Sequence, residues 1–124
     1  MTTSISTLLL RNLSDVFGEI DPDRRRAAID EIFHEEAVFH DPNGGTFRGR
    51  DEINRVAGVI KANHPDYQYQ PLSAPEETGN AGRVAWVSGS PGKPPEYAGT
   101  DFIVARDGKI AAVYLFFDPL SETN

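Results

Sequence analysis

Two aspartates in this sequence are placed where a carboxylate could do chemistry, and Asp41 is the first of them. It follows a short strand-like stretch that begins at Ala37, and it opens the sharp turn DPNGG. In one interpretation its side chain only shapes the turn, accepting a backbone amide proton two residues further on. In the other, a carboxylate is held at the mouth of a pocket, where it could transfer a proton. The sequence leaves both roles open.

Asp101 is the second aspartate, and its position in the chain is the more unusual. It lies inside the strand predicted for residues 96–105, although aspartate is depleted in strands. An unpaired buried carboxylate is costly, so three environments are open to this side chain. It is solvated on the outer face of the sheet, bonded across the sheet, or held neutral or paired in a cavity. Together with Asp41 in a different environment, it would form an acid–base pair.

The histidines and their acidic neighbours do not form a recognisable metal-binding motif. His40 follows His34, Glu35 and Glu36, but this spacing matches no standard ligand pattern. Strand alternation also separates His40 from Asp41, so we expect His40 at the surface or in an interface. The sequence has no phosphate-binding loop, dinucleotide fingerprint or nucleophile elbow. We therefore expect no metal and no cofactor.

The sequence predicts three helices, all in the first half of the chain. They precede or connect the strands that carry Asp41 and Asp101. Apolar spacing predicts a first helix over residues 4–18. Asp21, which precedes a proline, caps a second helix that runs to about His34. A third helix opens near Asp51 and ends before Pro65, because a residue that precedes proline is driven out of helical geometry. The apolar positions behind these predictions are Leu9, Leu13, Val16, Ile20, Ala28, Ile29, Ile32, Phe33, Ile53, Val56, Ala57 and Ile60.

The second half of the chain is rich in β-branched and aromatic residues, which predicts strands. The expected strands cover residues 67–70, 83–90, 96–105 and 109–118, and the sequence RDGK forms a tight hairpin between the last two. Helices followed by a mostly antiparallel sheet indicate the α+β class.

The last predicted strand is apolar on both sides. Tyr114 and Phe116 lie on one side, whereas Val113, Leu115 and Phe117 lie on the other. Both faces of this strand should therefore be covered, and a second copy of the chain is the simplest cover for the outer one. We expect a homodimer through the outer sheet face.

Length and charge exclude several classes of function. The 124 residues fit a single domain, 1–124, and the net charge of −7 disfavours binding to nucleic acid or to an anionic membrane. The apolar runs are far shorter than the about 20 residues of a membrane span. No signal-peptide pattern precedes them, and cysteine is absent, so we expect a cytoplasmic protein.

Three segments carry a resemblance to a known family: IDEIFHEEAVFHDPNG, RGRDEI and DGKIAAVYLFFD. With these segments the chain resembles the nuclear transport factor 2-like superfamily, particularly its SnoaL-like and ketosteroid-isomerase-like members. The resemblance implies a cone-shaped barrel, in which a strongly bent sheet wraps three helices around an apolar cavity. It is less specific for activity, because the superfamily includes isomerases, cyclases, dehydratases and proteins that only bind.

The resemblance also implies roles for both aspartates. Asp41 matches the position of the catalytic base in the isomerases, and Asp101 matches the protonated aspartic acid of their oxyanion hole. The tyrosine that completes this hole corresponds to Leu13 here, which makes steroid isomerisation doubtful. The tyrosines that could reach the cavity instead are Tyr67, Tyr69 and Tyr97.

The cavity implied by the resemblance should be mostly apolar and suited to a small hydrophobic molecule. Its expected lining is Leu13, Phe39, Val56, Ile60, Trp86, Ser88, Leu115 and Phe117. Our leading hypothesis is a cofactor-free isomerase, cyclase or dehydratase, with Asp41 as base and Asp101 as hydrogen-bond donor or partner carboxyl. The alternative is a non-catalytic ligand-binding or interaction module of the same fold, which Leu13 favours somewhat.

Overall fold

The computed structural model describes residues 3–120, in which three helices precede or interrupt a curved seven-stranded sheet. The helices are α1 (Ile5–Arg11), which continues into a π-helical segment (Asn12–Phe17), α2 (Pro22–Ile32) and α3 (Arg50–Asn63). The strands are β1 (Phe33–His40), β2 (Thr46–Arg48), β3 (Gln68–Pro71), β4 (Glu76–Thr78), β5 (Ala81–Gly89), β6 (Tyr97–Arg106) and β7 (Lys109–Phe117). The α+β class is confirmed. No helix in the described part of the chain is long and apolar enough to cross a membrane.

The sheet is an open, curved path. Its strand order is β2-β1-β7-β6-β5-β3, and β4 adds a second partner to one end of β5. All pairs are antiparallel except β1 with β7. The sheet forms a cone-like curve around the helices, and β2 and β3, at opposite ends of this path, do not pair with each other. The expected cone is confirmed, but a closed barrel is not formed.

The second helix begins as predicted and ends earlier. Asp21 caps it by accepting the backbone amides of Asp23 and Arg24, at 2.9 and 3.1 Å. The chain then becomes extended at Phe33, where β1 starts, so the helix predicted to reach His34 is two residues too long. Two hydrogen bonds from the Arg50 guanidinium to the Phe33 carbonyl oxygen, at 3.0 and 2.8 Å, hold this exit from the helix.

The first helix departs from regular α-helical geometry at Asn12. The π-helical segment has a wider turn than an α-helix, and such segments are frequent at functional sites. Leu9, Leu13 and Val16 are buried as their spacing predicts. Ile20 is 58% exposed, contrary to the prediction, because the helical segment ends at Phe17 and Ile20 lies beyond it.

Two strands were not predicted from the sequence. Strands β2 and β4 have three residues each, too few for a hydrophobic alternation to be recognised. They form because longer neighbours, β1 and β5, offer an edge for pairing. Strands β3, β5, β6 and β7 lie within two residues of their predicted bounds, whereas β1 begins at Phe33, four residues before the predicted start at Ala37.

One face of the sheet packs on the helices and carries the core. Burial alternates along β5, where Val84, Trp86 and Ser88 are buried. On the neighbouring β6, Gly99 pairs with Trp86, and Asp101 pairs with Val84. A Cβ atom on Gly99 would lie 2.6 Å from the indole ring. The glycine therefore allows the indole to lie close against β6, on the same face as Asp101.

Candidate functional site

A cavity of about 310 Å³ opens between the helices and the concave face of the sheet. Its walls come from the π-helical segment, the ends of β1 and α3, and strands β3, β5, β6 and β7. The volume is at the small end of the range for ligand pockets. Both aspartates border this cavity. So do the following residues of the expected lining: Leu13, Phe39, Ile60, Trp86, Ser88, Leu115 and Phe117.

Val56 does not border the cavity, contrary to expectation. It packs in the hydrophobic core with Ile53 and Ala57 on the buried stripe of α3. The cavity lies near the C-terminal end of this helix, where Ile60 is one turn further along. Helical spacing identified the buried stripe, but it could not show where along that stripe the core ends and the cavity begins.

Asp101 is a buried carboxyl group in the wall of the cavity, with only 5% of its surface exposed. Its Oδ1 accepts a hydrogen bond from Trp86 Nε1 at 3.0 Å, and its Oδ2 accepts one from Asn12 Nδ2 at 3.4 Å. Burial raises the pKa of Asp101 to about 6, although both hydrogen bonds act in the opposite direction. A solvated position on the outer face is therefore excluded.

Asn12 contributes to the site although the sequence analysis did not select it. It lies on the π-helical segment, beside Leu13, and its side chain is completely buried. Its Oδ1 has no hydrogen-bond partner within residues 3–120, which is unusual for a buried amide. A signal was present in the sequence, because Asn12 follows Leu8 by four residues and therefore falls on the buried stripe.

Tyr69 is the tyrosine whose electrostatic environment is tied to Asp101. Its ring meets the Trp86 ring edge-on, with 5.0 Å between the ring centres. Burial and the nearby charge of Asp101 raise the pKa of Tyr69 to about 12. The phenol therefore stays protonated at neutral pH and keeps a hydroxyl group that can donate. The other two tyrosines that were candidates, Tyr67 and Tyr97, also border the cavity.

The position of Asp41 is compatible with both roles that the sequence left open, the turn and the cavity. Its Oδ1 accepts the backbone amide of Asn43 at 2.8 Å, and its own amide donates to the Gly45 carbonyl oxygen at 2.8 Å. These bonds are those of a turn-initiating aspartate. The residue is half-buried and also borders the cavity. Its Oδ2 makes no hydrogen bond to the rest of the described chain, which leaves this oxygen available to a ligand.

Lys61 is the second residue of the site that the sequence analysis did not identify. It lies in the last turn of α3, borders the cavity and is only 6% exposed. Its ammonium group donates to the backbone carbonyl oxygen of Tyr67. Burial lowers the pKa of Lys61. The spacing from Ile53 and Ala57, eight and four residues earlier, placed it on the buried stripe of the helix.

His64 and His40 occupy different environments. His64 caps the C-terminus of α3, and its ring stacks on Tyr67 with 4.2 Å between ring centres. It also borders the cavity. His40 stacks instead on Tyr114, 4.6 Å away.

Comparison with protein-family models places this sequence in a known family. Residues 11–113 match the model of the SnoaL-like domain. The chain belongs to the SnoaL-like family. The match runs from the end of α1 to the middle of β7. It covers the elements that border the cavity except the second half of β7, which carries Leu115 and Phe117. No curated protein matches this SnoaL-like chain in sequence.

Solved structures resemble this SnoaL-like protein closely in fold. A protein described as a putative isomerase of the SnoaL-like family, from Agrobacterium tumefaciens, is 25% identical, with a TM-score of 0.84 over 91% of this chain and 96% of that chain. A putative polyketide cyclase from Sinorhizobium meliloti is 23% identical, with a TM-score of 0.67 over 88% and 93% of the two chains. A putative ketosteroid isomerase from Kribbella flavida is 17% identical, with a TM-score of 0.72 over 96% and 81%. The predicted superfamily is confirmed.

Proposed function

We propose that this SnoaL-like protein is a cofactor-free enzyme that moves a proton on a small, largely hydrophobic carbonyl compound. The observation that carries the proposal is Asp101, a carboxyl group buried at the cavity wall between Trp86 and Asn12. Such a group is costly to bury and has a pKa close to neutral, which is typical of acid–base sites. Isomerisation and cyclisation are also the reactions named for two structural neighbours, the putative isomerase from Agrobacterium tumefaciens and the putative polyketide cyclase from Sinorhizobium meliloti.

In this proposal Asp101 stabilises the oxygen of the substrate. With a pKa of about 6, it is only partly protonated at neutral pH, and a bound apolar substrate would displace water and shift it toward its neutral form. The neutral acid donates a hydrogen bond to the carbonyl oxygen, which gains negative charge as the adjacent carbon loses a proton. Tyr69, whose phenol is protonated, is our candidate for a second donor. Its hydroxyl group would supply the hydrogen bond that the apolar side chain of Leu13 cannot make.

Asp41 is the proposed base. Its free Oδ2 takes a proton from the carbon next to the carbonyl, and the electron pair of that C–H bond moves into the enolate. Return of the proton to another carbon completes an isomerisation. In a cyclisation the enolate carbon attacks a second carbonyl of the substrate, the C=O π bond breaks, and the proton held by Asp41 passes to the resulting alkoxide. Both outcomes use the same two carboxyl groups.

The second candidate is a binding protein without turnover. Two observations favour it: Leu13 supplies no hydrogen bond, and one oxygen of Asp41 is already engaged in the turn with Asn43. In this function the cavity would hold a small molecule, and Asp101 would contribute only to its recognition. The two candidates differ in whether a bound carbonyl compound exchanges its acidic protons.

Proton exchange tests the proposal directly. The protein is incubated with a panel of small cyclic ketones in D₂O, and deuterium incorporation next to the carbonyl is followed by NMR. Asp41→Asn keeps an acceptor for the turn but is not a base, so we expect no exchange above buffer. Asp101→Leu removes the donor and should slow exchange about 100- to 1,000-fold, with Asp101→Asn intermediate because its amide still donates.

The matched control is Asp107→Asn in the exposed β6–β7 turn, which should leave the rate unchanged. Exchange that persists in Asp41→Asn would contradict the role of Asp41. Binding of a ketone with no exchange in the wild-type protein would support the second candidate.

We also propose that two copies of the chain pair through the outer face of the sheet. Phe116 is 56% exposed, Tyr114 is exposed beside it, and Phe102 packs edge-on against Tyr114. An exposed aromatic patch of this kind is typical of an interface. Light scattering should give the mass of a dimer, and Phe116→Glu should give a monomer. A monomeric wild-type protein would contradict the pairing.

A further inference from the structure

Lys61 gives the cavity a cationic group that the proposed acid–base chemistry does not use. Among the described residues that border the cavity, it is the only lysine or arginine. Burying a lysine at the wall of a largely apolar cavity costs free energy, as its lowered pKa reflects. A bound anion would offset this cost.

The hydrogen bonds of Lys61 leave room for such an anion. An ammonium group has three N–H donors, and the structure gives one acceptor, the carbonyl oxygen of Tyr67. No carboxylate oxygen of the described chain lies within 4.0 Å of the ammonium nitrogen. Lys61 is therefore anchored at one point and not paired with an internal acid.

The two carboxylates whose charges act most on Lys61 are engaged elsewhere. Glu19 pairs with Arg24, with 3.3 Å between Oε1 and Nε. Asp66 accepts a hydrogen bond from the Ser90 hydroxyl group at 2.6 Å. Neither is free to move onto the ammonium group without losing its present partner.

We infer that the cavity is specific for a small hydrophobic molecule with a carboxylate at one end, and that Lys61 binds this carboxylate. The apolar walls would bury the body of the ligand, and the ammonium group would pair with its charge. The inference deepens the proposed function and rests on it in one respect, namely that the cavity binds a small molecule. It makes keto acids the preferred substrates over neutral ketones.

A structural role for Lys61 is the competing explanation. Its bond to Tyr67 joins the end of α3 to the loop before β3, and this bond needs no ligand. A purely structural lysine would affect stability but not the choice between charged and neutral ligands. The test must therefore measure this choice.

The experiment is a calorimetric titration with two probes of nearly the same shape, 4-phenylbutyrate and its neutral amide, 4-phenylbutanamide. We expect wild-type protein to bind the carboxylate at least about tenfold more tightly than the amide. Lys61→Met should lose this preference, whereas Lys61→Arg, which keeps the charge, should retain most of it. Lys93→Met changes an exposed loop lysine and serves as the control, with the preference unchanged.

Three results would overturn the inference: equal affinities in the wild-type protein, no binding of the carboxylate at millimolar concentration, or a preference that survives in Lys61→Met. If Lys61→Met does not fold, the wild-type comparison and Lys61→Gln, which retains a donor for the Tyr67 carbonyl oxygen, still decide. Asp41→Asn should keep the preference for the carboxylate while losing proton exchange. Failure of the catalytic proposal and failure of this inference are thus separate results.

Discussion

Asp41 and Asp101 border the same cavity, but the protein holds them in different ways. Asp41 is fixed by its own turn, through bonds to Asn43 and Gly45 that lie within four residues of it. Asp101 is fixed by Trp86 and Asn12, from distant parts of the chain. The first carboxyl group keeps an oxygen free, whereas the second is surrounded and titrates near pH 6. One cavity can thus offer a base and an acid built from the same residue type.

Replacing Asp101 by asparagine gives the largest effect that we expect on the free energy of unfolding. Because the pKa rises from 3.8 to about 6 on folding, the native state binds more protons than the unfolded state between these values. Wild-type stability therefore falls as the pH rises through this window, by about 3 kcal/mol from this group. Asp101→Asn should lack this fall.

Urea unfolding of both proteins at pH 4 and pH 8 measures the difference. The amide at position 101 resembles the neutral acid, and its N–H can donate to the unpartnered Oδ1 of Asn12 once that amide has turned. Asp107→Asn is again the control. Parallel stability curves for wild type and Asp101→Asn would show that Asp101 does not titrate in this window.

Removing one hydrogen bond to Asp101 should have an intermediate effect. Trp86→Phe keeps an aromatic ring beside Tyr69 but loses the Nε1–H donor. In the wild-type protein this donor favours the charged form of the Asp101 carboxyl group. We expect the pKa of Asp101 to rise above 6, with a cost of about 1.5–3 kcal/mol for the ionised form. NMR of the ¹³C-labelled carboxyl group measures this directly. An unchanged or lower pKa would mean that the indole bond does not act on the carboxylate.

Asp41 should give the smallest effect on stability, because its contacts are local and partly exposed. Asp41→Ala loses the side-chain bond to the Asn43 amide and should cost about 0.5–1.5 kcal/mol in thermal or urea unfolding. Asp41→Asn, which keeps an acceptor, should cost less. A loss as large as that from a core substitution would show that Asp41 supports the cavity wall as well as the turn.

The sequence was most informative where structure is local. The cap at Asp21, the end of α3 before Pro65, and the turn after Asp41 follow from residues that contact one another within a few positions. The longer strands could be predicted for the same reason. Side chains alternate between the two faces of any strand, and this alternation does not depend on which strand it pairs with. The short strands β2 and β4 depend on their partners, and no local pattern marked them.

The residues of the site could not all be predicted from local sequence patterns. Asn12 and Lys61 were not predicted as site residues. Their spacing from buried neighbours could have placed them on the buried side of their helices, but spacing alone could not show that they would border the cavity. For Asn12 the π-helical geometry and the approach of β6 decide this, and for Lys61 the position of the cavity at the end of α3 decides it. The same limit explains why Val56 was assigned to the cavity and lies in the core.

The sequence by itself determined the class of fold, the start of α2 at Asp21, the end of α3 before Pro65 and the turn that presents Asp41. The caps and the turn depend on residues close together in the chain. Only the tertiary structure decided the environment of Asp101. Its burial and its bonds to Trp86 and Asn12 depend on how three separate elements pack. The pKa of a carboxyl group follows from the solvent and charges around it, and these are set by packing, not by neighbours in sequence.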